Sequence, residues 1–262
     1  MVGRLLDDMQ NWAWTACAVK GTSHQKTGLR LQDAFSSFRV HNKESEFFCG
    51  IISDGAGSSK YGGEGASIVC RTLSTLIRTH FKNNYELPEA LTCESWIDQI
   101  RDRIFLAASN RFLASRDFAA TLIAVISDGE KTLLLHIGDG CAVFHDCDTN
   151  EWFTPSWPNN GEFASTTYFV TDEYLTELRI IKLNRSINAL TLFSDGLERL
   201  ALNFKETIPF NEFFNSMTGP LFQSKENGKI YALNEALKTF LNSESINSRT
   251  DDDKSLIIAV KK

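Results

Sequence analysis

The chain has 262 residues, of which 42% are hydrophobic and 23% charged, with a formal net charge of −6. A chain this long can bury a substantial core without staples, and its composition is that of an ordinary folded protein. The acidic balance argues against a general nucleic-acid or anionic-membrane surface, since either needs an excess of Lys and Arg. The six cysteines (Cys17, Cys49, Cys70, Cys93, Cys141 and Cys147) show no C-x-x-C spacing and read as reduced, mostly buried thiols. The N-terminal residues lack an apolar leader, and no later run reaches membrane-spanning length. The expectation is a cytoplasmic chain.

Residues 12–20 alternate as a strand, with Trp12, Trp14, Ala16 and Ala18 on one face, and residues 21–28 read as a polar loop. A second strand covers 34–40. The apolar run 47–53 is a third; it stops at Asp54 and enters a segment with five glycines, Gly55 to Gly65. Read alone, an acid at a strand end is equally a turn or a cation ligand. Helical spacing follows over 63–79 and again over 93–114, so that the two helices cover one side of a sheet. Strands resume at 119–127 and 131–138, joined by Asp128-Gly129, a hairpin signal, and continue at 141–147 and 151–153. Residues 155–171 read as an irregular surface excursion. Strands at 179–183 and 189–194, helical segments at 197–202, 210–217 and 231–242, and a last strand at 255–260 complete the chain. Without repeats or linkers, this order predicts a single α+β domain over residues 1–262.

Four acids share one local setting, where an apolar strand meets a loop: Asp54, Asp139, Asp195 and Asp252, with Asp33 a fifth. Three are followed by glycine. One such dipeptide is a turn, but several on the strand ends of one domain can converge on a cleft, where they need cations to stay ionised together.

The chain resembles the metal-dependent protein serine/threonine phosphatases of type 2C, above all their compact bacterial branch. The matching residues are Gln32-Asp33-Ala34, Ser53-Asp54-Gly55-Ala56-Gly57, Ala120-Thr121-Leu122, Ile137-Gly138-Asp139-Gly140, Phe193-Ser194-Asp195-Gly196 and Asp252-Asp253-Lys254-Ser255-Leu256, in family order. The resemblance implies a four-layer αββα sandwich, two central antiparallel sheets flanked by helix pairs, with a two-metal centre at one end. It implies that Asp54 bridges two Mn²⁺ or Mg²⁺ ions, that Gly55 offers its carbonyl, and that Asp195 and Asp252 complete the ligands of one ion. Asp33 would hold water behind the metals, and Asp139 would form a weaker third site with Asp195. The implied activity is hydrolysis of phosphoserine and phosphothreonine by in-line attack of hydroxide bridging the ions, chemistry that suits hard oxygen ligands. Phosphorylated proteins are the expected partners, with a cognate kinase among them and no nucleic acid or membrane; a monomer is expected.

The match departs at three positions. Ala56 stands where many eukaryotic members carry a histidine proposed as general acid, Gly28 where the family usually has a phosphate-binding arginine, and Gln32 where glutamate is frequent. Arg30 and His24 are therefore candidates for contact with substrate, His24 as the missing acid or base. His136 and His145, inside strands, and Trp152 and Trp157 read as packing residues, and Asp117 as a solvated loop acid. Two rival functions stand beside the phosphatase reading. One is a silent homologue that binds phosphoproteins or a kinase, against which stand the retained Asp54, Asp195 and Asp252. The other is a hydrolase of small phosphoesters, which the sequence leaves open.

Overall fold

The structure, a computed structural model, describes residues 12–41, 45–158, 167–173 and 177–262. In chain order, β1 (Trp12–Val19) leads into a short helix α1 (Thr22–Thr27), then β2 (Ala34–His41) and β3 (Glu46–Ser53). Two long helices follow, α2 (Gly62–Asn83) and α3 (Ala90–Ser109), then a 3₁₀ turn at Ser115–Phe118. Next come β4 (Leu122–Ser127), β5 (Lys131–Ile137), β6 (Cys141–Asp146), β7 (Trp152–Phe153), β8 (Arg179–Asn184) and β9 (Ile187–Phe193). After a 3₁₀ turn at Asp195–Leu197 the chain forms α4 (Glu198–Ala201), β10 (Leu202–Asn203), β11 (Ile208–Pro209), α5 (Asn211–Gln223), β12 (Gly228–Lys229), α6 (Tyr231–Leu241), α7 (Glu244–Asn247) and β13 (Lys254–Lys261).

Two sheets carry the fold. One runs β2-β3-β4-β5-β8, all antiparallel; the other runs β12-β1-β13-β9-β6-β7, antiparallel apart from the β1–β12 pair. The central strands are apolar on both faces, because each face meets a different layer. In β3, Phe47, Cys49 and Ile51 pack under α2 and α3, while Phe48 and Ile52 face the other sheet. In β13, Leu256, Ile258 and Val260 face α5 and α6, while Ile257 and Ala259 enter the space between the sheets. Three apolar layers therefore separate four structural layers, the αββα sandwich that the motif resemblance implies. The period-2 face expected for β1 holds for Trp12, Trp14 and Ala16, which lie together between the sheets, while Ala18, at the strand's end, is only half-buried and outside that cluster.

The departures from the sequence reading have physical reasons. Residues 22–27 form a helix rather than a loop, closed at Gly28 in the left-handed region with φ 73°. Helix α3 stops at Ser109, short of the expected 114, where the chain reverses through Phe112 at φ 57°. Strand β4 begins at Leu122 rather than 119, because residues 119–121 instead wrap against the Asp54 loop. Helix α5 runs through Pro220 to Gln223 instead of ending near 217; its buried Phe214, Thr218 and Leu221 hold it against the sheet despite the missing N–H. Asp128-Gly129 makes the expected hairpin, with Gly129 at φ 95° and Asp128 Oδ1 accepting from the backbone N–H of Glu130 and Lys131. Of the excursion at 155–171, residues 159–166 lie outside the described residues.

Candidate metal centre

Strand pairing decides which loops meet. Ala34 pairs with Ser53, so Asp33 and Asp54 leave the first sheet side by side. Leu256 pairs with Phe193, so Asp252 and Asp195 do the same on the second. Ser194 ties the two sheets together: its hydroxyl donates to Asp33 Oδ2 at 2.8 Å and accepts from the Ser255 N–H at 2.9 Å. Asp139 arrives from the loop between β5 and β6, where Gly138 sits at φ 105° with Thr121 so near that a Cβ would stand 2.7 Å from its Cγ2.

The result is a cleft of about 440 Å³ at one end of the sandwich, lined by Asp54, Gly55, Asp139, Asp195 and Asp252, with His24, Gln32 and Thr121 at its walls. Asp33 is buried beside it. Of the residues singled out from sequence, only Arg30 stays away; it lies exposed in the neighbouring groove.

The backbone of Asp54 is held twice by Thr121: its N–H donates to Thr121 Oγ1 at 3.0 Å, and its carbonyl accepts the Thr121 N–H at 2.8 Å. Gly55 bridges to Ala120 and approaches the start of α2 so closely that a Cβ would lie 2.1 Å from the Gly62 carbonyl carbon. Gly65 likewise leaves no room, its Cβ position being 2.0 Å from the Phe118 oxygen. Gly55, Gly62, Gly63 and Gly65 thus serve close backbone packing.

Burial at this end of the sandwich raises the affinity of Asp33, Asp54, Asp139 and Asp195 for protons. Burial, then the charges of Asp33 and Asp195, pushes Asp54 well above the ordinary carboxylate range. Burial, then Asp139 and Asp252, pushes Asp195 up to about 8. Burial raises Asp33 to about 6 and lifts Asp139 as well, against the hydrogen bond it accepts from Thr167 Oγ1. Oδ1 of Asp33, Oδ1 of Asp195 and Oε1 of Gln32 are buried with no hydrogen-bond partner among the described residues.

Among the described residues no three His, Cys, Asp or Glu side chains form a ready-made cage for one ion. The donor set is instead a group of carboxylates lining an open cleft, with orphaned oxygens of Asp33, Asp195 and Gln32 buried at or beside it. That fits small hard cations, which keep several waters and take one or two carboxylates each. A cation here would relieve the repulsion among Asp33, Asp54 and Asp195.

Several residues at the centre carry no signal of their own in the sequence. Asp253, beside the expected ligand Asp252, is buried and accepts from the N–H of Gly21 at 2.7 Å and of Gln32 at 2.6 Å. His24 Nδ1 stands 3.0 Å from Asp253 Oδ2, an ion-pair distance rather than an aligned hydrogen bond. Glu198 at the start of α4 is pushed up to about 7 by burial and then by Asp139. Thr121 and Ser194 lie inside the quoted motifs, where only their place and not their bonding is visible. The expected packing residues do pack. His136 is fully buried and pushed down to about 3 by burial and Arg179, with Nδ1 2.8 Å from Ser156 Oγ. His145 pairs with Asn188, Trp152 packs on Phe214, and Trp157 meets Phe204 edge-on. Asp117 accepts from the Ala114 N–H across the 3₁₀ turn.

Comparison with known proteins settles the relationship. The protein phosphatase 2C family profile matches residues 20–242. The chain belongs to the protein phosphatase 2C family. It is 32% identical over 253 residues to serine/threonine-protein phosphatase 3 of Escherichia coli (strain K12), covering 95% of this chain and 98% of that protein. PppA of Pseudomonas aeruginosa superposes with a TM-score of 0.64 at 15% identity, covering 97% of this chain and 99% of that one. The catalytic domain of the serine/threonine phosphatase PstP, solved with two manganese ions, gives 0.62 at 14% identity over 95% and 98%. The molecule is an enzyme of this family, a protein phosphatase. Among the described residues no helix is long and apolar enough to cross a membrane.

Proposed function

We propose that this phosphatase acts on phosphoserine and phosphothreonine in proteins, with residues 1–262 working as one catalytic domain and Asp54, the Gly55 carbonyl, Asp195 and Asp252 holding two Mn²⁺ or Mg²⁺ ions. The observation that carries the reading is the meeting of four aspartates, Asp54, Asp139, Asp195 and Asp252, in one cleft with Asp33 buried beside it, where burial and mutual repulsion raise the proton affinity of Asp54 and Asp195. Such ions supply an activated water for in-line attack on phosphorus and neutralise the phosphoryl oxygens. Asp139 would serve a third, weaker ion.

The chain's own groups do the rest. Thr121 fixes the Asp54 backbone, and Ser194 fixes Asp33 through Oδ2, leaving Oδ1 to accept from a water in the cleft. Ala56 supplies no proton, and among the described residues no arginine lines the cleft to hold phosphate. His24 is the titratable non-carboxylate group in the lining. With Nδ1 against Asp253, its Nε2 is the nitrogen left to donate to the departing alkoxide. The unpaired cysteines suit a reducing compartment, so cytoplasmic action belongs to the same proposal.

The test is hydrolysis of a phosphothreonine peptide and an aryl phosphate with Mn²⁺ added. Turnover should stop with chelator and fall by more than about 10²-fold in Asp195→Asn, since even outer partners of a metal cost ~10–100-fold. Full activity in a folded Asp195→Asn protein would overturn the assignment.

A further inference from the structure

The acidic cleft does not end at its rim. Gln32 lines it and also lines a second depression of about 800 Å³, which runs along the first turns of α2. Arg30, Lys60 and Arg71 stand in that groove. Its acid, Glu64, is neutralised by a two-pronged pair with Arg111, at 2.6 and 2.8 Å. Arg71 in turn belongs to a third depression, about 730 Å³, between α2 and α3, where Arg103 and Arg111 join it above an apolar floor of Ile68, Leu76 and Ala107. Among the described residues no Asp or Glu lines this last stretch. Arg30, Lys60, Arg71 and Arg103 are exposed and make no ion pair among the described residues. In a chain of net charge −6, four unpaired cations along one path from the reaction site are a local reversal of sign.

We propose that this path binds the chain of the phosphoprotein substrate on one side of its phosphorylated residue, and that it selects Asp and Glu there. The proposal rests on the phosphatase reading above and names the substrate class within it. The scale is set by α2: Gly63 packs on Gln32, where a Cβ would stand 2.9 Å from its Cα. Eight residues on, Arg71 lies ~12 Å further along the helix. An extended peptide covers ~3.3 Å per residue. Acids about three to six positions from the phosphorylated residue therefore meet Lys60, Arg71 and then Arg103. The aliphatic stems of these cations, with Ile68 and Leu76, give the peptide apolar contact as well.

The test uses two phosphothreonine peptides, one with Asp and Glu at positions three to six on both sides, the other with Asn and Gln there. Aryl phosphate hydrolysis is measured in parallel. The wild-type protein is expected to favour the acidic peptide by at least about tenfold in kcat/KM, mostly through KM. Raising salt from about 0.05 to about 0.5 M should shrink that preference, because exposed charges are screened within a Debye length. Arg71→Glu/Arg103→Glu should bring the ratio to one or below. A wild-type ratio near one with aryl phosphate still hydrolysed would overturn the groove and leave the phosphatase reading intact, as would a preference that survives both salt and charge reversal. Loss of all hydrolysis, aryl phosphate included, in the wild type would overturn the reading underneath.

Discussion

Ala56 and His24 pose the residue-scale question of where the leaving alkoxide finds its proton. Alanine at 56 is aliphatic and nearly buried, so the strand end that presents Asp54 presents no acid. His24 reaches the same cleft from α1, held against Asp253, whose carboxylate also fastens Gly21 and Gln32. A general acid matters most when the leaving group is a poor one. His24→Gln should therefore slow hydrolysis of a phosphothreonine peptide by ~10²-fold, while an aryl phosphate, whose phenolate leaves without help, changes far less. Equal losses on the two substrates would show that His24 only braces the loop. The individual roles were unevenly legible. Asp54, Asp139 and Asp195 announce themselves by closing apolar runs, whereas Asp253 looks like one of three acids in a row. Nothing local says that Asp253 is the buried member, at 2% exposed, and Asp252 the open one.

At the scale of elements, legibility follows the source of each element's stability. Strand β3 is readable because both its faces are buried and its residues are an unbroken apolar run. Helix α2 is readable from its apolar stripe, Ala66, Val69, Cys70, Leu73 and Ile77. Helix α1 is not: none of its six residues is buried, and it is held from 228 and 232 residues away, by the Asp251 carbonyl and the Asp253 carboxylate. Gly28 ends it in the left-handed region, where arginine would be strained. The departure from the family's arginine is thus tied to the way this helix stops.

The glycines at the start of α2 make a second element-scale case. Alanine at position 65 would gain ~1 kcal/mol of helix propensity. Its methyl would fall 2.0 Å from the Phe118 oxygen, and that backbone is fixed by Ala119 and Ala120 pairing with the Asp54 loop. Overpacking of this kind costs about 1–3 kcal/mol and has no flexible side chain to absorb it. Gly65→Ala should accordingly lower the urea midpoint of unfolding and weaken activity together. A more stable variant would show that the loop and helix can part without harm.

For the whole molecule, the four layers exist in part to hold like charges together. Between the ordinary carboxylate value of 3.8 and about 8, folded Asp195 keeps a proton that the unfolded chain has lost. Stability therefore falls as pH rises through that window. Buried His136 works the other way between about 3 and 6.5, where the unfolded chain takes up the proton. Above about 6.5 only the carboxylate effect is left, so the metal-free protein should lose thermal stability from there to about pH 8. Cations binding the folded state reverse that loss. The rise in Tm on adding Mn²⁺ should be larger near pH 8 than near pH 6.

The central claim, that these aspartates form a divalent-cation site and not a set of turns, is tested most directly by calorimetric titration of Mn²⁺ into the metal-free protein near pH 7. The account predicts saturable binding of about two ions with release of protons, seen as a dependence of the heat on the buffer's ionisation enthalpy. Asp54→Asn, still folded by circular dichroism, should lose that binding. Absence of binding in the wild type, or an unchanged isotherm in Asp54→Asn, would contradict it.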